Sequence, residues 1–157
     1  MRNRRDVLSQ SAKVAAMLAA ASLLPALAQA QAQAGAYNAA AFEARNMADL
    51  MKAVGGSAPA ASKDVTVTGP DIAENGAVVP IGAASTLPGV KRLLILVEKN
   101  PAMLAATFDV TDAIEANIST RVKMGQSSNV FAVAMMNDGK VLFAQKEVKV
   151  TLGGCGG

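Results

Sequence analysis

The sequence predicts a mainly β protein: a β-sandwich preceded by one helix and followed by a glycine-rich C-terminal arm. Three observations lead there. From Lys63 onward, apolar and polar residues alternate in short runs broken by turn residues. One stretch before that, Ala39 to Val54, has the helical period instead. After the last alternating run the chain reads Gly153-Gly154-Cys155-Gly156-Gly157, which offers almost no side chain for a core to pack.

In the helix, Met47, Leu50, Met51 and Val54 fall at i, i+3, i+4 and i+7, and Gly55-Gly56 supply the stop. Ser57 to Ser62 is a Pro/Ala/Ser linker, so residues 35–62 form a helix plus linker and residues 63–152 the sandwich. Val65 and Val67 alternate with Thr66 and Thr68 before Gly69-Pro70 turns the chain. An Asn75-Gly76 turn precedes a second strand, Ala77 to Ile81. Arg92 to Val97 is nearly all apolar, as in a strand buried on both faces, and Asn100-Pro101 ends it. Ala105 to Val110 and Asn117 to Lys123 give two more strands. Val130 to Met136 and Val141 to Val150 flank Asp138-Gly139, a hairpin signature. Several short strands at this spacing predict a sandwich. The last of them runs through Val148-Lys149-Val150-Thr151-Leu152 straight into the glycines.

Residues 1–34 read as a leader and not as part of the fold. Arg2, Arg4, Arg5 and Lys13 make a basic head, and Val14 to Leu27 is apolar but shorter than a membrane span. Small-x-small cleavage sites run from position 28 to 34. The adjacent Arg4-Arg5 resembles a twin-arginine export signal, with a Sec signal as the alternative. The expected location is therefore the periplasm, with no membrane attachment in the mature form. The leader also explains the charge. The chain has 15 Lys+Arg against 12 Asp+Glu, of which residues 1–28 hold four basic groups and one acidic, leaving 11 of each. A near-neutral mature protein gives no support to a nucleic-acid partner.

Composition removes most catalytic chemistry. No histidine is present, which excludes Ser-His-Asp and Cys-His nucleophiles and His-ligated metals. A single cysteine excludes a Cys-x-x-Cys redox pair, a thiolate zinc site and an internal disulfide. With no phosphate-binding loop and no calcium loop, no cofactor and no metal is expected. Met47, Met51, Met103, Met124, Met135 and Met136 lack a repeated Met-x-x-Met spacing and read as packing. Lys91-Arg92 reads as a solvated strand edge, and Glu74 and Asp138 as turn residues. One nucleophile remains, Cys155. The glycines around it predict a mobile arm, spanning on the order of 17 Å over Gly153 to Gly157, with a thin profile near the sulfur.

Taken together, these residues resemble the SoxY family of sulfur-oxidation proteins. The resemblance is carried by the terminal Gly-Gly-Cys-Gly-Gly and the strand Val148 to Leu152 before it. Ile72-Ala73-Glu74-Asn75-Gly76-Ala77-Val78-Val79-Pro80, Asn100-Pro101, Asp138-Gly139 and the twin-arginine leader also carry it. After Asn100-Pro101 the family often has a second proline two positions on, where this chain has Met103. The resemblance implies an immunoglobulin-like sandwich and a non-catalytic carrier of sulfur intermediates on Cys155, working in periplasmic thiosulfate oxidation. It also implies a SoxZ-like partner in a heterodimer, and haem-containing, hydrolase and dehydrogenase components that act on the carried group. Two other readings stand beside it. Gly156-Gly157 could load sulfur as a C-terminal thiocarboxylate, or Cys155 could cross-link an exported structural domain.

Overall fold

The structure, a computed structural model, describes residues 38–152. Its central strand explains much of the rest. β5 (Val90–Val97) is buried along both faces, as its apolar run predicts. Leu93, Ile95 and Val97 join one core and Leu94 and Leu96 another, all of them fully buried. Two cores require a layer on each side, and both are present. Full burial of each Leu or Ile side chain contributes roughly 1.5–3 kcal/mol.

Among the described residues, nine strands form two sheets. They are β1 (Ala60–Ala61), β2 (Val65–Thr68), β3 (Ile72–Ala73), β4 (Val79–Ser85), β5, β6 (Leu104–Asp109), β7 (Asn117–Val122), β8 (Ser128–Met136) and β9 (Val141–Val150). The large sheet runs β1-β9-β8-β5-β6, with β3 also paired to β9; the small sheet runs β2-β4-β7. The first core lies between the sheets, where Val65, Val79, Ile81, Val122 and Met124 meet Leu93, Ile95, Val130, Ala132 and Val148. The second core lies on the large sheet's other face. It is covered by α1 (Ala39–Glu43) and α2 (Met47–Val54) through Ala41, Leu50 and Met51. Met51, Met103 and Met124 are buried and Met47, Met135 and Met136 partly so, which is the packing role expected of them.

The single helix expected over Ala39 to Val54 is two helices. Asn46 takes an extended backbone and its side chain accepts from the Asp49 N–H at 2.9 Å, starting a new helix inside the apolar period. Asn38 caps α1 in the same way. Gly55, at φ 70°, ends α2 in the left-handed conformation, as the Gly-Gly stop predicts.

Three further readings are corrected. The strand expected at Ala77 to Ile81 begins two residues later and runs to Ser85. Asn75 takes up the intervening chain, its Oδ1 accepting from the Ala77 N–H at 2.8 Å. The linker contains β1, and Ile72-Ala73 forms β3; both pair with β9 in parallel, at Ala60↔Leu142 and Ile72↔Lys149. Lys91-Arg92 lies at the end of an interior strand, not along a sheet edge. There Arg92 pairs with Asp109 on the neighbouring β6.

The Asp-Gly hairpin forms as read. Gly139 sits at φ 86°, and Asp138 accepts from the Lys140 N–H at 3.0 Å. That turn sets the β8–β9 register, Met135↔Val141 through Ser128↔Val148. The outer edge of β9 is covered at one end by β1 and at the other by β3. Between them lies a 2.8 Å ion pair from Lys146 to Asp71, so no long bare edge is left to recruit another strand.

Candidate functional site: the root of the C-terminal arm

Cys155, Gly153, Gly154, Gly156 and Gly157 lie outside the described residues, as do Arg4, Arg5 and the rest of residues 1–34, where a leader is expected. What the structure describes is the root from which the cysteine-bearing segment leaves, residues 148–152. Val148 is fully buried in the inter-sheet core, and Val150 packs against it. Beyond them the strand is tied down by hydrogen bonds and not by burial.

The ties come from two parts of the chain, residues 71–76 on one side and Ser127 on the other. Lys149 N–H donates to Asp71 O at 2.9 Å and Thr151 N–H to Ala73 O at 3.1 Å. The Thr151 hydroxyl donates to Glu74 O at 3.1 Å. On the opposite edge Val150 N–H donates to the Ser127 hydroxyl at 2.8 Å. Leu152 O then accepts from Gly76 N–H at 2.7 Å, and Gly76 O accepts from Met124 N–H at 2.7 Å. Asn100 extends the scaffold: its side chain donates to Lys123 O at 2.7 Å and accepts from Gly125 N–H at 3.2 Å. The last described residue of the arm strand is therefore held by the β3–β4 turn, which the β7–β8 loop holds in turn.

Gly76, Ser127 and Asn100 were not singled out as site residues from the sequence. The Asn75-Gly76 and Asn100-Pro101 turns were visible, but turn chemistry does not say what a turn will hold. Glu74, read as a turn residue, contributes its carbonyl to the root.

The root carries no catalytic constellation. Among the described residues no three acidic, histidine or cysteine side chains gather where a metal could sit. Lys146 beside Asp71 holds that carboxyl below its usual value, first by hydrogen bonding and then by charge, and Lys140 does the same for Asp138. Both carboxylates are solvent-exposed partners of surface ion pairs. A cavity of about 630 Å³ is lined by Thr66, Ser85, Thr86, Asp112, Glu115 and Asn117. It opens beside Val90, which pairs with Met136, whereas the root lies beside Ser127 and Ser128 at the other end of β8. The strand is nine residues long, which puts its ends about 27 Å apart. Nearer the root, a shallower groove of about 390 Å³ runs between Asn100-Pro101 and Arg121-Lys123. No helix among the described residues is long and apolar enough to cross a membrane.

The described chain is a two-sheet sandwich whose final segment is held by hydrogen bonds up to Leu152, three positions before Cys155 in the sequence. Comparison with known proteins gives the family. Sulfur oxidation protein SoxY matches residues 50–155, a span whose last position is Cys155, and the chain belongs to the SoxY family. Among solved structures, the sulfur carrier protein SoxY from Chlorobium limicola f. thiosulfatophilum superposes with a TM-score of 0.59 at 32% identity. That match covers 66% of this chain and 93% of the other. A superoxide reductase (neelaredoxin) from Ignicoccus hospitalis reaches a TM-score of 0.48 at 14% identity, covering 55% of this chain and 79% of its own. At that level it contributes nothing to function. No curated protein matches at a significant level.

Proposed function

We propose that this chain carries sulfur intermediates covalently on Cys155 during periplasmic oxidation of thiosulfate and related compounds to sulfate. A sulfur-oxidation carrier role follows from the family and from the likeness to a solved sulfur carrier protein. The observation that supports the finer reading most is the clamped root. A rigid strand end leads, three residues later, to the chain's one thiol.

The chemistry balances on that thiol. The Cys155 thiolate and thiosulfate, losing two electrons to a haem partner, form RS–S–SO₃⁻. Water then releases sulfate and two protons, leaving the persulfide RS–S⁻. A dehydrogenase partner removes six electrons as three waters add oxygen, giving RS–SO₃⁻ and six protons. A second hydrolysis frees sulfate and restores the thiolate. The chain itself supplies attachment and persistence: sulfur held as a disulfide-type adduct yields to thiolate attack, and no second cysteine is present to resolve it internally. A free cysteine is only a few per cent ionised near pH 7, so activation falls to the partners' active sites. A SoxZ-like subunit completes the heterodimer, and the Arg4-Arg5 leader exports the two together after folding.

Intact mass of the protein from its native host, with and without reductant, tests this reading. A reductant-sensitive sulfur adduct on the parent, absent from Cys155→Ser of unchanged thermal stability, is the expected result. A disulfide dimer alone would indicate a structural cross-link, and modification at Gly157 a thiocarboxylate carrier; either overturns the proposal.

A further inference from the structure

Of the chain's asparagines only Asn75 is followed by glycine. That pairing permits a reaction between neighbours. The backbone nitrogen of the next residue can attack the asparagine Cγ, expel ammonia and close a cyclic imide. Glycine leaves the approach open because it has no Cβ. Asn75 is exposed, so water reaches its amide. Its Oδ1 accepts from the Ala77 N–H at 2.8 Å, which draws electron density from Cγ and makes it the better electrophile.

The nucleophile, in contrast, is restrained. Attack requires the Gly76 nitrogen to lose its proton, yet Gly76 is buried and its N–H donates to Leu152 O at 2.7 Å. The imide nitrogen carries no hydrogen. Imide and hydrogen bond are therefore mutually exclusive, since the same N–H is needed for one and lost in the other. Asp138-Gly139 is the nearest comparison in the sequence. There Lys140 favours the ionised carboxylate, a poor electrophile, and the Gly139 N–H donates within its own turn, to Met136 O at 3.1 Å.

We propose that Asn75-Gly76 is a spontaneous deamidation site gated by release of the arm root. Leu152 is 61% exposed, so its release uncovers little apolar surface and is governed by the hydrogen bonds around it. Once Leu152 lifts away, the Gly76 N–H proton passes to hydroxide and the nitrogen bonds to Asn75 Cγ. The Cγ–Nδ2 bond breaks, and Nδ2 takes a proton from water and leaves as ammonia. Water then opens the imide. Opening at Cγ gives aspartate at position 75. Opening at the backbone carbonyl gives isoaspartate, which adds a carbon to the main chain. Either product places a second carboxylate next to Glu74. In the isoaspartate form Gly76 is displaced along the longer main chain, so the fixed end of the strand retreats from Leu152 toward Thr151 and Val150. The site does not depend on what Cys155 carries.

The test incubates the full-length chain at mildly alkaline pH and follows two quantities. Isoaspartate at position 75 is read by methyltransferase labelling with peptide mapping, and hydrogen exchange at the Gly76 amide by NMR. Both need that N–H released and deprotonated, so folding should slow them by the same factor relative to the chain unfolded in urea. Thr151→Ala removes the hydroxyl tie to Glu74 O, and Ser127→Ala the tie to the Val150 N–H. Each should raise both rates together by roughly two- to tenfold, the effect of one lost hydrogen bond on a local opening equilibrium. Asn75→Ser should abolish the label. Should Ser127→Ala lower the melting temperature, Thr151→Ala decides, because its side chain is exposed. A folded chain that deamidates as fast as the unfolded one, or tie-removing variants that deamidate at the parental rate, overturns the gate. An unfolded chain that gains no isoaspartate at position 75 overturns the site itself.

Discussion

The carbonyl of Leu152 accepts a 2.7 Å hydrogen bond from the backbone N–H of Gly76, a residue 76 positions earlier in the chain. This bond connects the strand that leads to Cys155 with the turn between β3 and β4. Gly76 is itself held through its carbonyl by Met124, so two turns from distant parts of the sequence fix the point at which the arm begins.

Side-chain volume beside the sulfur should govern turnover. Alanine at both Gly154 and Gly156 restricts backbone freedom and should lower turnover by partner enzymes modestly. Valine and then phenylalanine at the same positions should lower it progressively, almost to nothing, with alkylation of the free thiol by a small reagent unchanged. A phenylalanine variant that supports thiosulfate oxidation as well as the parent would show that the arm enters no confined site.

Export should depend on the arginine pair. Arg4→Lys with Arg5→Lys should leave the precursor in the cytoplasm, together with a co-expressed partner that lacks its own signal. Cell fractionation followed by immunoblotting reads both proteins, and periplasmic delivery of either at the parental level would exclude this route.

The central strand should be the costliest place to remove bulk. Leu94 is fully buried in the core beneath the helices, and Leu94→Ala should destabilise the fold by about 2–5 kcal/mol. Leu152, 61% exposed, should cost no more than about 0.5 kcal/mol when replaced by alanine. Urea titration compares them. Equal losses would mean that Leu152 is covered in the folded chain.

Acid should loosen the β9 edge. Lys146 lowers the Asp71 pKa in the folded protein, so the unfolded chain binds the proton more readily. The pair's contribution is then complete above the unfolded carboxylate pKa and is lost as pH falls through the lower folded value. Asp71→Asn should therefore be slightly less stable than the parent at neutral pH and indistinguishable from it once the carboxylate is protonated in both states. Thermal melts across that range measure the convergence. A gap between the two proteins that stays constant down to the lowest pH would sink the assignment.

The readable parts of the sequence were those whose signal is local. The alternation at Val65 and Val67, the unbroken apolar run of β5 and the Asp138-Gly139 turn each report which faces a segment buries or how it reverses, and the structure has them in those places. The Gly-Gly-Cys-Gly-Gly motif and the absence of histidine singled out one usable nucleophile without any coordinates. Other features were not available to such reading. Asn46 divides the expected helix because a capping side chain competes with helical continuation, and the apolar period runs across the break unchanged. β1 and β3 are two residues long, too short to show a period, and exist only because β9 offers them an edge. The same holds for Gly76: its sequence announces a turn, but the bond to Leu152 depends on where β9 ends after the whole large sheet has assembled. By itself the sequence determined the sandwich class and the single thiol that follows it, since periodicity and composition act over a few neighbouring residues. Only the tertiary structure decided strand order, the two parallel stubs and the clamp on the arm root, because a backbone group's partner is set by which distant segment folding brings beside it.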